Sequence, residues 1–484
     1  MGTSSRSRVL LSGAIYTALA FVLLWSRLTG LDLSFWHDEV VTVTRYAGQA
    51  PHAIFFGDYI PNNHVLFEIL AWATTTVFGS SEVTYRLWGL LPALGATAWL
   101  TWWAFRRFGH LVGVTVALLL VVSPLLFQLS REARGYGLAM LAMAGLITQA
   151  DSALRSPEGG AVWRFAFFGL LGVLTLPAFV LPYLFAALPL LLDSRIRSRL
   201  VLAVSASGVL ALVWFFPMLL EILEHSSQEF GRPVPWHGFI TLSMLNLVFP
   251  TFRLLMPGIP DILLGSPRDS SLVVVVWHAV AWVLIILGGL WLWRKRNRVL
   301  LYSLASPAIG TYLVMAGFGM WVVDRFVSYL SLPVFVLLAL GVKELIDLIP
   351  AKAGPVVRLG IAGLASWLLV SFIPLADYVV HVPHEAMKDA SQVANASGTG
   401  LVLTNSGRPE GLVYYLDSAP QIMNAPDLER MFCGEDNATY VFIELFFRSE
   451  EVDTSCLEAR DTPRISLKQR GRGRHIDVWL VGVP

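Results

Sequence analysis

Apolar runs separated by short polar segments dominate the chain, and their lengths decide most of what the sequence predicts. A helix that crosses a bilayer needs about 20 mostly apolar residues. Runs that suit this lie near 9–29, 83–105, 111–129, 134–150, 163–176, 178–192, 199–220, 272–293, 299–318, 326–342 and 357–380, which predicts about eleven spans. The run 64–78, HVLFEILAWATTTVF, is equally apolar but only about 15 residues long, so it is expected to lie in the interface. The first run, Val9 to Leu28, follows Arg6 and Arg8 as the core of a signal peptide would. It lacks a small-x-small cleavage site, so it is expected to remain as the first helix.

The polar connections depend on that reading of 64–78. With it lying flat, the basic loops share one side: Arg6 and Arg8; Arg106 and Arg107; Arg155; Arg195, Arg197 and Arg199; Arg294, Lys295, Arg296 and Arg298; Lys343, Lys352 and Arg358. The positive-inside rule makes that side cytoplasmic. If 64–78 spanned, Arg106 and Arg107 would move outside and every later loop would change sides. The segments facing out are then 30–82, the turn from Ser130 to Arg134, a Pro/Gly-rich loop 221–271 and the turn from Trp321 to Arg325.

From about 384 the pattern changes. Strand-like runs at 400–404, 412–416, 440–446 and 476–482 alternate with Gly, Pro, Asn and Asp turns. Paired strands cannot sit open in lipid. A polytopic α-helical membrane domain, 1–383, is therefore expected to precede a small extracytoplasmic α/β domain, 384–484. Cys433 and Cys456 both fall in the tail, as a bridge or as two unrelated thiols, and export would favour the bridge. Asn395-Ala-Ser and Asn437-Ala-Thr match the glycosylation sequon, which says little without the host.

Composition agrees with the pattern: 14% of the 484 residues are charged and 55% hydrophobic, against about a quarter charged in a globular protein. Mean hydropathy is +0.63 and the formal net charge +1, with no basic face or arm for nucleic acid. Two cysteines exclude a thiolate metal cluster. No internal repeat appears, which weakens a transporter reading because many transporters are built from duplicated halves.

Ionisable groups are costly at membrane depth, so their gathering in outward turns beside spans carries the chemistry. Trp36-His37-Asp38-Glu39 follows the first span and suits either an interfacial belt or a base with a second acid. Asp58 to His64 leads into the flat helix, with Glu68 one turn on, and Asn62, Asn63 and His64 can cap it or face an anion. Ser130-Arg131-Glu132-Ala133-Arg134-Gly135-Tyr136 puts two arginines in a turn, where they suit a phosphate or a simple ion-pair staple. Asp324-Arg325 opens a late span, as a site pair or an ordinary salt bridge. All four clusters fall on one face of the predicted topology.

The acid after the first span, the NNHVLF entry to a juxtamembrane helix and SREARGYGL opening a span together resemble the GT-C superfamily. The nearest branch is that of protein O-mannosyltransferases and aminoarabinose transferases, with the RgtA/B/C/D-type domain, over roughly residues 9–345. The resemblance implies a GT-C-like fold with juxtamembrane helices in the first outer loop. It implies transfer of a hexose or pentose from a polyprenyl-phosphate donor, with inversion, to a glycan, lipid or protein acceptor outside the cell membrane. Asp38 would be the base and Glu39 its partner acid. His64, Arg131, Arg134 and Arg325 would bind the donor phosphate, with His37, Asn63, Glu132 and Tyr136 beside them. Where many relatives have His-Pro or Lys-Pro-Pro, this chain has Asn-His-Val. Two acids and a histidine permit a divalent metal ion without requiring one. The alternative, a transporter or flippase of a lipid-linked sugar, expects its ionisable residues near mid-span, where only Glu68 is a candidate. A scaffold has no use for acids and arginines at one rim.

Overall fold

A computed structural model describes residues 3–57, 63–222, 270–317, 324–348, 360, 387–405, 410–433, 439–445, 452–460, 462–468 and 475–483. The first outer segment links α1 (Thr3–Leu28) to three short helices, α2 (His37–Thr42), α3 (Pro51–Phe56) and α4 (Val65–Phe78), with a π-turn at Val43–Ala47. The bundle continues with α5 (Glu82–Phe108), α6 (His110–Val122), α7 (Pro124–Leu129), α8 (Tyr136–Arg155), α9 (Ala161–Thr175), α10 (Val180–Ala187) and α11 (Arg197–Phe215). It closes with α12 (Ser270–Arg294), α13 (Arg298–Gly317) and α14 (Ser331–Leu348). Among the described residues four helices are long and apolar enough to cross a membrane. Shorter apolar helices run beside them, Val65–Phe78 among them, so the chain is an integral membrane protein. The expected span 357–380 lies outside the described residues.

Local chemistry sets the helix starts. Ser81 caps α5, its Oγ accepting from the Thr84 N–H at 3.2 Å while Thr84 Oγ1 accepts from the Ser81 N–H at 2.9 Å, the reciprocal pattern of a capping box. The helices then meet through small residues, as expected where lipid removes the hydrophobic drive for association. A Cβ on Gly137 would collide with the Gly89 carbonyl, so α8 rests its backbone on α5. Gly341 of α14 sits in the same way on the Leu284 carbonyl of α12.

Three of the basic loops meet at one end of this bundle. Asp151 on α8 accepts from Arg107 Nε at 3.0 Å, Arg155 Nε at 3.1 Å and the Trp103 indole at 3.1 Å. Arg195 Nη2 reaches the Leu154 carbonyl at 3.4 Å. The first residue of α8, Tyr136, follows the Arg131–Arg134 turn, and Asp151 lies about four turns further along the helix, so the two groups are separated by about 23 Å.

The tail is an α/β sandwich. Five strands, β1 (Val402–Thr404), β2 (Gln421–Ile422), β3 (Tyr440–Leu445), β4 (Arg464–Lys468) and β5 (His475–Val481), take the order β2-β1-β3-β5-β4. β1 runs parallel to β2 and β3, whereas β5 is antiparallel to β3 and β4. Side chains alternate between faces. Val441, Ile443, Ile476 and Val478 pack against α15 (Met387–Ala396) and α16 (Glu410–Tyr415). Phe442 and Trp479 face α17 (Ala425–Cys433) and α18 (Ser455–Ala459). A Cys433–Cys456 disulfide ties these last two helices together. The run 412–416, expected as a strand, is instead the end of α16, because Leu412 and Tyr415, three apart, both turn toward α15. The sequon residue Asn395 is engaged: its Nδ2 donates to the Tyr415 carbonyl at 3.0 Å and its Oδ1 accepts from the Asp417 N–H at 3.1 Å. Asn437 lies outside the described residues.

Candidate active site

Asp38 and Glu39 are neighbours that α2 puts to different uses. Glu39, third in the helix, reaches back so that its Oε2 accepts the Trp36 N–H at 3.1 Å, which caps α2. The same carboxylate meets Arg86 of α5 in a fork, Nε to Oε1 at 2.9 Å and Nη2 to Oε2 at 2.7 Å, the bidentate geometry that suits guanidinium and carboxylate. Arg86 spends its other hydrogens on the carbonyls of Leu31 at 2.8 Å, Leu33 at 2.7 Å and Ser34 at 3.2 Å. Glu39 Oε1 also accepts the Ala133 N–H at 2.6 Å. Glu39 is 2% exposed and Arg86 5%, so one buried ion pair joins the first loop, α5 and the Arg131–Arg134 turn.

Asp38 meets the other arginine. Its Oδ2 lies 3.9 Å from Arg134 Nη1, which also donates to the Asp38 carbonyl at 3.3 Å. Arg134 is fully buried, and its Nη2 is 2.7 Å from His64 Nε2. A guanidinium only donates, so Nε2 is the acceptor. His64 Nδ1 lies 3.2 Å from the Gly135 nitrogen. A neutral imidazole accepts at one nitrogen, and the shorter, charge-assisted contact takes precedence. The Tyr136 ring stands edge-on to His64 at 4.8 Å, with Arg134 Cζ 5.6 Å from its centre. Asp38, His64, Arg134 and Tyr136, from three sequence clusters, thus come together.

The His64 ring faces Arg134 because a different residue caps α4. His64 is the N-cap residue, yet its side chain makes no cap bond, and Glu68 Oε1 takes its N–H at 3.0 Å instead. Burial pushes the Glu68 carboxyl up to about 8, against the His64 N–H and Arg134, which favour its charged form. Glu68 Oε2 and both amide atoms of Asn63, which is 2% exposed, find no hydrogen-bond partner among the described residues. Capping by the Asn63 and His64 side chains is therefore not what the helix uses, and Asp58 to Asn62 lie outside the described residues.

The remaining expected residues spread around this centre. His37 opens α2 beside Asp38 and is partly buried. Arg131 turns toward α7, its Cζ 4.7 Å from the Phe127 ring centre, with Arg27 5.1 Å from the same ring. Glu132 Oε1 accepts from Gln128 Nε2 at 3.0 Å. The backbone at Arg325 belongs to a 3-10 turn, Asp324–Leu330, and its side chain lies outside the described residues. Among the described residues, no three of His, Cys, Asp and Glu converge as they would around a metal ion.

Searched by sequence, the chain matches no protein-family model and no curated protein. Its structure is similar to that of ArnT from Cupriavidus metallidurans bound to undecaprenyl phosphate, with a TM-score of 0.53, 14% identity and 98% of each chain covered. It is similar as well to the oligosaccharyltransferase of Archaeoglobus fulgidus in the apo form, with a TM-score of 0.54 and 11% identity over 90% of this chain and 69% of that one. A third is the archaeal oligosaccharyltransferase AglB, also from Archaeoglobus fulgidus, in complex with an inhibitory peptide and a dolichol-phosphate. There the TM-score is 0.53 and the identity 10%, over 98% of this chain and 74% of that one. The chain shares the fold of these structures.

Within this fold, three contributors escaped the sequence reading. Arg86 stood inside a predicted span, and a charge at that depth is a signal of pairing or function. Glu68 was noted as a neighbour of His64 and as the mid-span candidate of the transporter reading, not as the cap of α4. Tyr415 sits in the tail, where its hydroxyl accepts the Phe35 N–H at 2.8 Å. Burial pushes that hydroxyl well above the usual tyrosine range, opposed by the Phe35 N–H. Nothing local marks a tyrosine so far along the chain as a partner of residue 35.

Proposed function

We propose that the protein is a membrane glycosyltransferase that moves a hexose or pentose from a polyprenyl-phosphate donor to an extracytoplasmic acceptor, with inversion. The observation that carries this reading is the meeting of Asp38, His64 and Arg134 on a GT-C fold, with a carboxylate 3.9 Å from a fully buried guanidinium. Asp38 is the base. It takes the proton of the acceptor hydroxyl as that oxygen bonds to the anomeric carbon, and general-base help of this kind supplies about 10²- to 10⁴-fold. The bond from the anomeric carbon to the phosphate oxygen breaks with its electron pair staying on the phosphate. Arg134, with Arg131 and Arg325, stabilises that growing charge, and His64 holds the Arg134 guanidinium in place. Glu39, taken as a second acid by resemblance, serves here as a positioning residue, because its charge is spent on Arg86.

Extracytoplasmic placement rests on two supports. The basic residues around Asp151 lie at the end of α8 opposite Arg134, and such residues stay inside. The Cys433–Cys456 disulfide suits an oxidising compartment. The reading with eleven spans and the division at residue 384 belong to the same proposal. The ArnT and AglB structures named above hold undecaprenyl phosphate and dolichol-phosphate, which supports a donor of that class for this chain.

The test uses purified full-length protein with a panel of undecaprenyl-phosphate hexoses and pentoses, and envelope glycan as acceptor. Asp38→Asn is expected to lower turnover at least about 100-fold while donor binding is kept. Turnover at the wild-type rate by a folded Asp38→Asn variant would remove the assignment.

A further inference from the structure

We infer that the C-terminal domain is a positioning element for the segment that bears Asp38, acting through Tyr415; the inference rests on the reading of Asp38 as the base. Phe35 precedes the N-cap of α2 and is 0% exposed. A buried N–H must find an acceptor, and this one takes the Tyr415 hydroxyl at 2.8 Å, 380 residues away in sequence. The Phe35 ring is held by the tail and by α5 together. Tyr414 stands edge-on at 5.5 Å, Tyr85 at 5.9 Å, and the Arg86 guanidinium lies 5.1 Å from the ring centre.

The tail fixes its own end of this contact. Asn395 on α15 grips the Tyr415 carbonyl and the Asp417 N–H, so Tyr415 cannot move without α15. A second tie runs from Lys388 on α15 to Glu82 on α5 at 2.7 Å. Glu82 is the first residue of α5, one turn before Arg86, whose five hydrogen bonds hold the loop from Leu31 to Glu39. Two elements of the tail therefore clasp the two elements that set where α2 begins. A domain present only to bind an acceptor has no need of a hydroxyl bonded to the backbone three residues before Asp38.

The experiment measures backbone hydrogen exchange of residues 31–41 by mass spectrometry in the purified full chain, alongside kcat and donor KM on the same donor panel. Tyr415→Phe keeps the ring and removes the acceptor. It is expected to speed exchange in 31–41 about tenfold and to lower kcat about tenfold, with donor KM unchanged, as for one buried hydrogen bond. Unchanged exchange, or faster exchange with kcat unchanged, overturns the inference. If Tyr415→Phe does not fold, Lys388→Gln, which spares the tyrosine, is judged by the same two readouts. Asp38→Asn is run beside them. Wild-type turnover in that variant removes the base assignment alone, while the exchange data still decide whether the tail holds the loop.

Discussion

Replacing Arg86 by Met removes one cation and leaves everything it held in place. Glu39 keeps its two N–H donors, Trp36 and Ala133, but has no positive partner. A buried carboxylate that loses its cation costs about 3 to 5 kcal/mol. The carbonyls of Leu31, Leu33 and Ser34 lose their donor as well, at about 1 kcal/mol each. Arg86→Met is therefore expected to lose about 4 to 7 kcal/mol of stability at pH 7. Adding Glu39→Gln removes the charge part, so the double variant should be about 3 kcal/mol more stable than Arg86→Met alone.

The assay is equilibrium unfolding of the purified protein in mixed micelles as a denaturing detergent is raised, for all four members of the cycle. Additive single losses would refute the claim that this pair fastens the first loop.

Two further outcomes use the same assay. Burial holds the Glu68 carboxyl at about 8, so the folded chain keeps a proton that the unfolded chain releases above about 4.5. Its contribution is full below that value and is lost as the pH rises toward 8. Glu68→Gln should flatten that slope, and a slope that persists unchanged belongs to another group. Gly341→Ala puts a Cβ into the Leu284 carbonyl, whereas Gly208→Ala meets nothing within 4 Å. The first should cost about 1 to 3 kcal/mol and the second nothing; equal effects would argue against the close crossing of α12 and α14.

The helical half was readable because apolar length and basic loops are local signals, and helices such as Glu82–Phe108 and Ser270–Arg294 begin and end near the expected spans. Asp38, His64 and Arg134 were visible as polar clusters flanking those spans. What stayed hidden was long-range. Nothing near Arg86 in sequence names Glu39 as its partner, and nothing near Tyr415 points to Phe35. The exchange of capping roles, with Glu68 taking the His64 N–H so that the ring turns to Arg134, needs the three-dimensional arrangement. The misread run at 412–416 has the same cause: its apolar residues suit strand or helix, and packing on α15 decides.

The glycine contact between α5 and α8 also closes one flank of the site. Gly89 lies against the Glu132 and Arg134 carbonyls, and Gly137 against the Gly89 carbonyl, so main chain abuts main chain at the level of the buried guanidinium. No prenyl tail fits through that seam. A lipid-borne donor of the kind proposed would have to bring its head group in from another flank of the bundle.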